Sequence, residues 1–297
     1  MRNETEMYQL ILDLAKADPG ILAVYLNGSR TNSNVPKDIF QDYDVVYVVR
    51  ETKRYIEDKA WIQNFGTILY MQYPDENSNY PSDKENRYGW LMQFADGNRL
   101  DLHVETLSYA RAHIGDDRLC KILLDKEQLL PAIEPATDAD YYVKKPTEEQ
   151  FLACANEFWW CSNNLAKGLW REEILYVQDM ANFIVRKELE RMLSWKVGME
   201  HDFAVSVGKS AKYIGRWLQK EVYRQYLDTF FGSSCEDAWR AVLVMCDLFA
   251  QTAVTVAQAL GYRYDTKEGE AARGFLEHVR TLPKDAEEVY PSCMVGD

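Results

Sequence analysis

The stretch Leu26 to Val46, LNGSRTNSNVPKDIFQDYDVV, constrains this chain more than any other. An apolar segment runs into Gly28-Ser29, a polar loop follows, and a second apolar segment opens at Asp42-Tyr43-Asp44. Residues two apart on a strand point to the same face. Asp42 and Asp44 therefore project together, while Tyr43, Val45 and Tyr47 face a core. Two carboxylates at this spacing repel each other unless a cation lies between them. A hard cation such as Mg²⁺ takes oxygen ligands and is commonly shared with phosphates. At the other end of the stretch, Gly28 lets the chain turn sharply after ILAVYLN and approach a ligand, and Ser29 and the following amides can donate to phosphate oxygens. Arg30 adds a positive charge. Each half alone fits an ordinary strand start or turn; together they read as a site for a nucleotide and magnesium.

A third carboxylate reinforces this reading. Tyr88 to Ala95 and Arg99 to Glu105 read as strands joined by the hairpin signal Asp96-Gly97-Asn98. In the second strand Leu100, Leu102 and Val104 share one face and Arg99, Asp101 and His103 the other. Asp101 is the candidate to hold a second metal or to take the proton of an attacking hydroxyl. Glu105 lies on the same face as an alternative, and His103 reads as a packing group rather than a ligand.

The 297 residues, 47% of them hydrophobic, are enough for two domains. The net charge of -13 argues against a nucleic-acid partner, since polyanion binding needs basic surface, and favours a cationic small-molecule acceptor. The six cysteines show no metal-ligand spacing and no disulfide framework. The charged N-terminus lacks the apolar core of a signal peptide. The longest apolar segment, Ala241 to Gly261, is interrupted by Asp247 and two glutamines, and reads as a buried helix rather than a membrane span. A cytoplasmic monomer or homodimer is expected.

Helical spacing predicts a helix over 4–17 and another over 52–65, with strands at 21–27, 43–49 and 67–73 and a possible edge strand at 121–124. Residues 74–87 read as a flexible excursion. Leu107 to His113 reads as a short helix. The proline-rich run 130–146 reads as a linker, and Thr147 caps the first of a series of helices, among them 170–195, 208–219, 221–230, 236–260 and 267–281. The expected fold class is α+β, with a mixed-sheet domain over 1–135, an all-α bundle over 146–285 and a tail over 286–297. Two features of the bundle carry chemistry. Helical spacing brings Lys209, Lys212 and Tyr213 within one turn, where they can reach a triphosphate. Glu172, Tyr176 and Asp179, with Glu173 beside them and Trp170 at the start, would line one helix stripe suited to a polyamine or guanidinium sugar.

The order Gly-Ser, loop, Asp-x-Asp resembles the polymerase-beta-like nucleotidyltransferases. The wider set LNGSRTN, QDYDVV, RLDLH and GKSAKY, spread over nearly the whole length, is similar to the aminoglycoside 6-adenylyltransferases, the streptomycin-modifying enzymes. That resemblance implies a polymerase-beta-like nucleotidyltransferase domain followed by a helical bundle, and transfer of AMP from ATP to a streptomycin hydroxyl with Mg²⁺ and loss of pyrophosphate. It implies metal binding by Asp42 and Asp44, a base or metal ligand in Asp101, and phosphate contacts from Ser29 and Arg30 beside Gly28. It also implies a triphosphate clamp of Lys209, Lys212 and Tyr213. The acceptor residues Trp170, Glu172, Glu173, Tyr176 and Asp179 rest on the stripe alone. Two other readings keep the same residues: transfer to a different acceptor, such as another antibiotic or a protein side chain, and nucleotide binding without catalysis. A third, a helical interaction protein with the first domain as scaffold, keeps none of the chemistry.

Overall fold

The computed structural model describes residues 1–290, so the end of the expected tail, with Cys293, lies outside the described residues. The chain divides into two compact units, Met1–Asp140 and Tyr141–Asp297.

The first unit is built on six strands: β1 (Ile21–Asn27), β2 (Tyr43–Val49), β3 (Ile68–Gln72), β4 (Arg87–Phe94), β5 (Arg99–Thr106) and β6 (Cys120–Asp125). They lie in the order β3-β4-β5-β2-β1-β6, so the sheet is mixed. β2 pairs in parallel with β5 and antiparallel with β1. The sequence of β2, YDVVYVV, is β-branched and aromatic, suited to a strand buried on both faces. On one face Tyr43, Val45 and Tyr47 pack with Met7 and Ile11 of α1 (Glu4–Ala17), and with Phe65 and Trp90. On the other, Val46 and Val48 join Ala23, Tyr25 and Ala110 of a helix over Leu107–His113, designated α3 below. A capping box sets the start of α1: Glu6 N donates to Asn3 Oδ1 and Asn3 N to Glu6 Oε2.

The expected helix over 52–65 is two short pieces, α2 (Lys53–Glu57) and a 3₁₀ turn over Trp61–Phe65. Asp58 breaks it, because its carboxylate accepts from Ala60 N and offers the backbone an alternative to the helix. α3 forms where expected. The excursion over 74–87 is tied down by its own acids: Asp75 accepts from Gly89 N and Ser82, and Glu76 from Lys84 and Tyr88.

The second unit is helical, with α4 (Glu148–Trp170), α5 (Ile174–Met180), α6 (Arg186–Glu200), α7 (Lys220–Leu227), α8 (Cys235–Leu260) and α9 (Lys267–Thr281). Thr147 caps α4 in a capping box with Gln150, and Ser234 caps α8. Gly261, with φ of +73°, ends α8 in the left-handed conformation that favours glycine. By length and composition α8 could cross a membrane, but its apolar residues, among them Val242, Met245 and Phe249, form the core of this unit. At its centre Phe158 of α4 stacks on Phe249 of α8, with ring centroids 3.8 Å apart and planes 5° apart.

Two expected helices are replaced. The helix over 170–195 is interrupted: α4 ends at Trp170, Glu172 adopts φ of +61°, and a π-helical turn over Ala181–Val185 joins α5 to α6. Glu173 N reaches back to Gly168 O and Glu172 N to Leu169 O, so a glutamate occupies the left-handed position of a Schellman motif. The segment 208–219 is not a helix but two 3₁₀ turns, Lys209–Ala211 and Ile214–Arg216, with Ser210 and Ala211 both at positive φ.

The Phe158–Phe249 stack predicts that Phe249→Ala costs about 3–5 kcal/mol of stability, read by urea unfolding of the second unit. A loss below about 1 kcal/mol would show that these rings do not anchor the bundle.

Candidate active site

The parallel pairing of β2 with β5 sets Asp44 directly opposite Asp101, and the antiparallel pairing of β1 with β2 sets Asn27 opposite Asp44. Asp42, two residues before Asp44, projects to the same side. Ligand oxygens of Asp42, Asp44 and Asp101 all lie within 4.8 Å of one another, and they form the only such cluster among the described residues. Strand register thus brings Asp44 and Asp101 together, and Asp42, just before β2, joins them.

Gly28 is required by this geometry. Its φ is +73°, its N–H donates to Leu119 O, and a Cβ at this position would lie 2.3 Å from Asp44 Oδ2. Ser29 follows in the 3₁₀ turn Gly28–Thr31, and its hydroxyl makes no hydrogen bond among the described residues.

Arg30 is tied to the start of β2. Its Nε donates to Asp42 O at 2.7 Å, one Nη donates to Gln41 O and the other to Glu4 Oε1 at 3.4 Å, and its guanidinium lies 3.5 Å from the Tyr43 ring centroid. The side chain is 8% exposed. Arg30 clamps the backbone that presents Asp42, with three of its five N–H donors engaged. The rest of the loop is pinned by Asn34 to Asp138 at 2.9 Å and by Lys37 to Glu4 at 3.0 Å.

Electrostatics make the cluster costly. Burial, followed by the charges of Asp42 and Asp101, pushes Asp44 up from 3.8 to about 7. The nearest cation is Arg99, whose Nε and Nη2 donate to the two oxygens of Asp101 at 2.8 and 2.6 Å and whose Nε lies 3.9 Å from Asp42 Oδ2. This contact was missed in the sequence reading, although the alternation that places Arg99 and Asp101 on one face signals it. Farther along β5, His103 packs over Gly89 and is pushed down to about 4 by burial and by Arg87. Glu105 is buried away from the cluster, accepting from Tyr25 at 2.5 Å and facing Arg87 at 3.3 Å. The donor set of three carboxylates, served by the single guanidinium of Arg99 and with Asp44 raised to about 7, suits a hard divalent cation.

In the second unit, Lys212 and Tyr213 are adjacent in an irregular turn, with the Lys212 ammonium 5.0 Å and the Arg216 guanidinium 3.9 Å from the Tyr213 ring centroid. Gly208 sits under that ring, where a Cβ would lie 2.6 Å from it. Lys209 opens the same turn, but no helical face unites the three, and Arg216 is a further cation that the sequence reading passed over. The expected acidic stripe does not exist as a helix face. Trp170 closes α4, its Nε1 donating to Leu282 O, and Glu172 and Glu173 lie in the interruption. Glu172 pairs with Lys284 at 2.9 Å and Glu173 lies 3.9 Å from Arg171. Tyr176 and Asp179 share α5, with the Tyr176 ring against Gly168.

A family model described as streptomycin adenylyltransferase matches residues 1–279. An aminoglycoside 6-adenylyltransferase of Campylobacter jejuni is 37% identical over 264 residues, covering 89% of this chain and 91% of that protein. One of Bacillus subtilis (strain 168) is 35% identical over 271 residues, covering 91% of this chain and 95% of that protein. A crystal structure of an aminoglycoside 6-adenyltransferase from Bacillus subtilis is 30% identical, covers 95% of this chain and all of that one, and gives a TM-score of 0.47.

A divalent cation at the cluster must displace the proton that Asp44 carries below about pH 7. The apparent affinity for Mn²⁺ or Mg²⁺ is expected to fall up to about tenfold per pH unit below 7 and to level off above it. For the metal-free protein the sign is opposite: a raised carboxylate pKa contributes stability at low pH that is lost as pH rises through about 7. Calorimetric titration of the metal from pH 5.5 to 8.5 reads the first effect, and a flat profile would contradict it.

Proposed function

The chain belongs to the streptomycin adenylyltransferase family, and from that membership and the carboxylate geometry we propose that it transfers AMP from ATP to an aminoglycoside hydroxyl. The acceptor we propose is streptomycin at its 6-position, with pyrophosphate as the second product and inactivation of the antibiotic as the consequence. The relatives named aminoglycoside 6-adenylyltransferases support the acceptor class. The observation that carries the reading is the convergence of Asp42, Asp44 and Asp101 within 4.8 Å.

Asp42 and Asp44 would hold Mg²⁺, with Asp101 as a further ligand. When bound, the cation supplies positive charge against the triphosphate oxygens and lowers the cost of the charge that develops during transfer. The chain's own groups do the rest. The turn at Gly28 lies against Asp44, and the Ser29 hydroxyl and the amides of this turn would donate to the phosphates. Asp101 is the base: its carboxylate accepts the proton of the acceptor hydroxyl as that oxygen bonds to the α-phosphorus and the bond to pyrophosphate breaks. Arg30 holds Asp42 in place from behind. The chain's net charge of -13 favours a cationic sugar over an anionic acceptor.

The test is mass spectrometry of streptomycin incubated with ATP, Mg²⁺ and the protein, with Asp44→Asn in parallel. The proposal predicts an AMP adduct from the unmodified protein, formed on the order of a thousandfold more slowly or not at all by the variant. Absence of an adduct on streptomycin and on other aminoglycosides, from protein that binds Mg-ATP, would overturn the acceptor assignment.

A further inference from the structure

Three carboxylates face one another at the cluster, and among the described residues one cation, Arg99, forms ion pairs with them. Arg99 and Asp101 are two apart on β5, so strand alternation sends both side chains to the face that carries Asp44. The guanidinium is laid fork to fork on the carboxylate, one nitrogen to each oxygen, at 2.8 and 2.6 Å. The same group stands 3.9 Å from Asp42, so its one charge faces two of the three acids at once. Both oxygens through which Asp101 would bind metal or accept a proton are therefore occupied by donors. Asp101 is 11% exposed, whereas Arg99 is 47% exposed, so the arginine is the partner free to swing into solvent. No other residue among those described holds it by a hydrogen bond or ion pair.

We propose that Arg99 is a resident counter-ion of the carboxylate cluster, holding Asp101 in place of metal and leaving its oxygens when a divalent cation binds. The inference rests on the metal reading of the site given above. It makes Arg99 a positioning residue that acts through Asp101. Without metal it limits the repulsion among the three acids and keeps Asp101 turned toward them. With metal, one charge is exchanged for another at the same oxygens, so the arginine opposes loading even though it stabilises the unloaded cluster. The two effects of removing it therefore have opposite signs, which a merely structural ion pair would not produce.

The experiment is a titration of the full-length protein with Mn²⁺ alone, free metal being read by its electron paramagnetic resonance signal. Melting in EDTA is followed alongside, for wild type, Arg99→Gln, Arg99→Lys and Asp44→Asn. The proposal predicts that Arg99→Gln melts lower than wild type in EDTA yet binds Mn²⁺ on the order of fivefold more tightly. Arg99→Lys keeps the charge but lacks the two-nitrogen fork, so it should bind more tightly than wild type and less tightly than Arg99→Gln. Equal or weaker binding by Arg99→Gln overturns the proposal. Tighter binding by Arg99→Gln with Arg99→Lys equal to wild type also overturns it, because a charge acting from a distance would then suffice. Absence of saturable binding by both wild type and Arg99→Gln, or binding undiminished in Asp44→Asn, overturns the metal reading itself and this inference with it.

Discussion

Like charges held close in a partly buried place are the constraint around which the first unit is arranged. Asp42, Asp44 and Asp101 are brought within 4.8 Å of one another, and Asp44 responds by holding its proton to about pH 7. A fold gains nothing in stability from such a cluster, so its surroundings must contain the repulsion. The two central strands do so by hydrogen-bonding in parallel register, with Val45, Tyr47, Leu102 and Val104 buried on the opposite face. Moving either carboxylate away would require slipping a strand whose whole apolar face is committed to the core.

The supports around the cluster show a division of labour. Arg30 takes the backbone carbonyls of Gln41 and Asp42 and lies on Tyr43, so the entrance to β2 is held from behind by a cation that does not touch the carboxylates. Arg99 meets the carboxylates from the open side and is far more exposed. Gly28 completes the arrangement by leaving room for Asp44 that any side chain would take. A cluster assembled in this way presents its oxygens to one side, which suits in-line transfer of a nucleotidyl group between a phosphate and a hydroxyl.

Much of this was legible in the sequence because it rests on short periodicities. The alternation in YDVVYVV and RLDLHVET names the faces, and Thr147 names the start of α4. What remained illegible depended on residues acting against their usual preferences. Glu172 ends α4 in a left-handed conformation that ordinarily calls for glycine, so a helix and an acidic stripe were expected where the chain turns. Ser210 and Ala211 do the same after Gly208 and remove the helix expected to carry Lys209, Lys212 and Tyr213. Arg30 has a role that its neighbourhood in sequence did not signal: it lies beside Gly28-Ser29, but its partners, Gln41 and Asp42, come from the far end of the loop. Charge type is visible in a sequence, but the group that satisfies it is set by tertiary approach.

The most direct test of the central claim is anomalous diffraction from crystals of the protein grown with Mn²⁺ and a non-hydrolysable ATP analogue. The account predicts an anomalous peak ligated by oxygens of Asp42, Asp44 and Asp101, with Arg99 turned away from Asp101. A peak placed elsewhere, or a nucleotide bound with these three carboxylates free of metal, would contradict it.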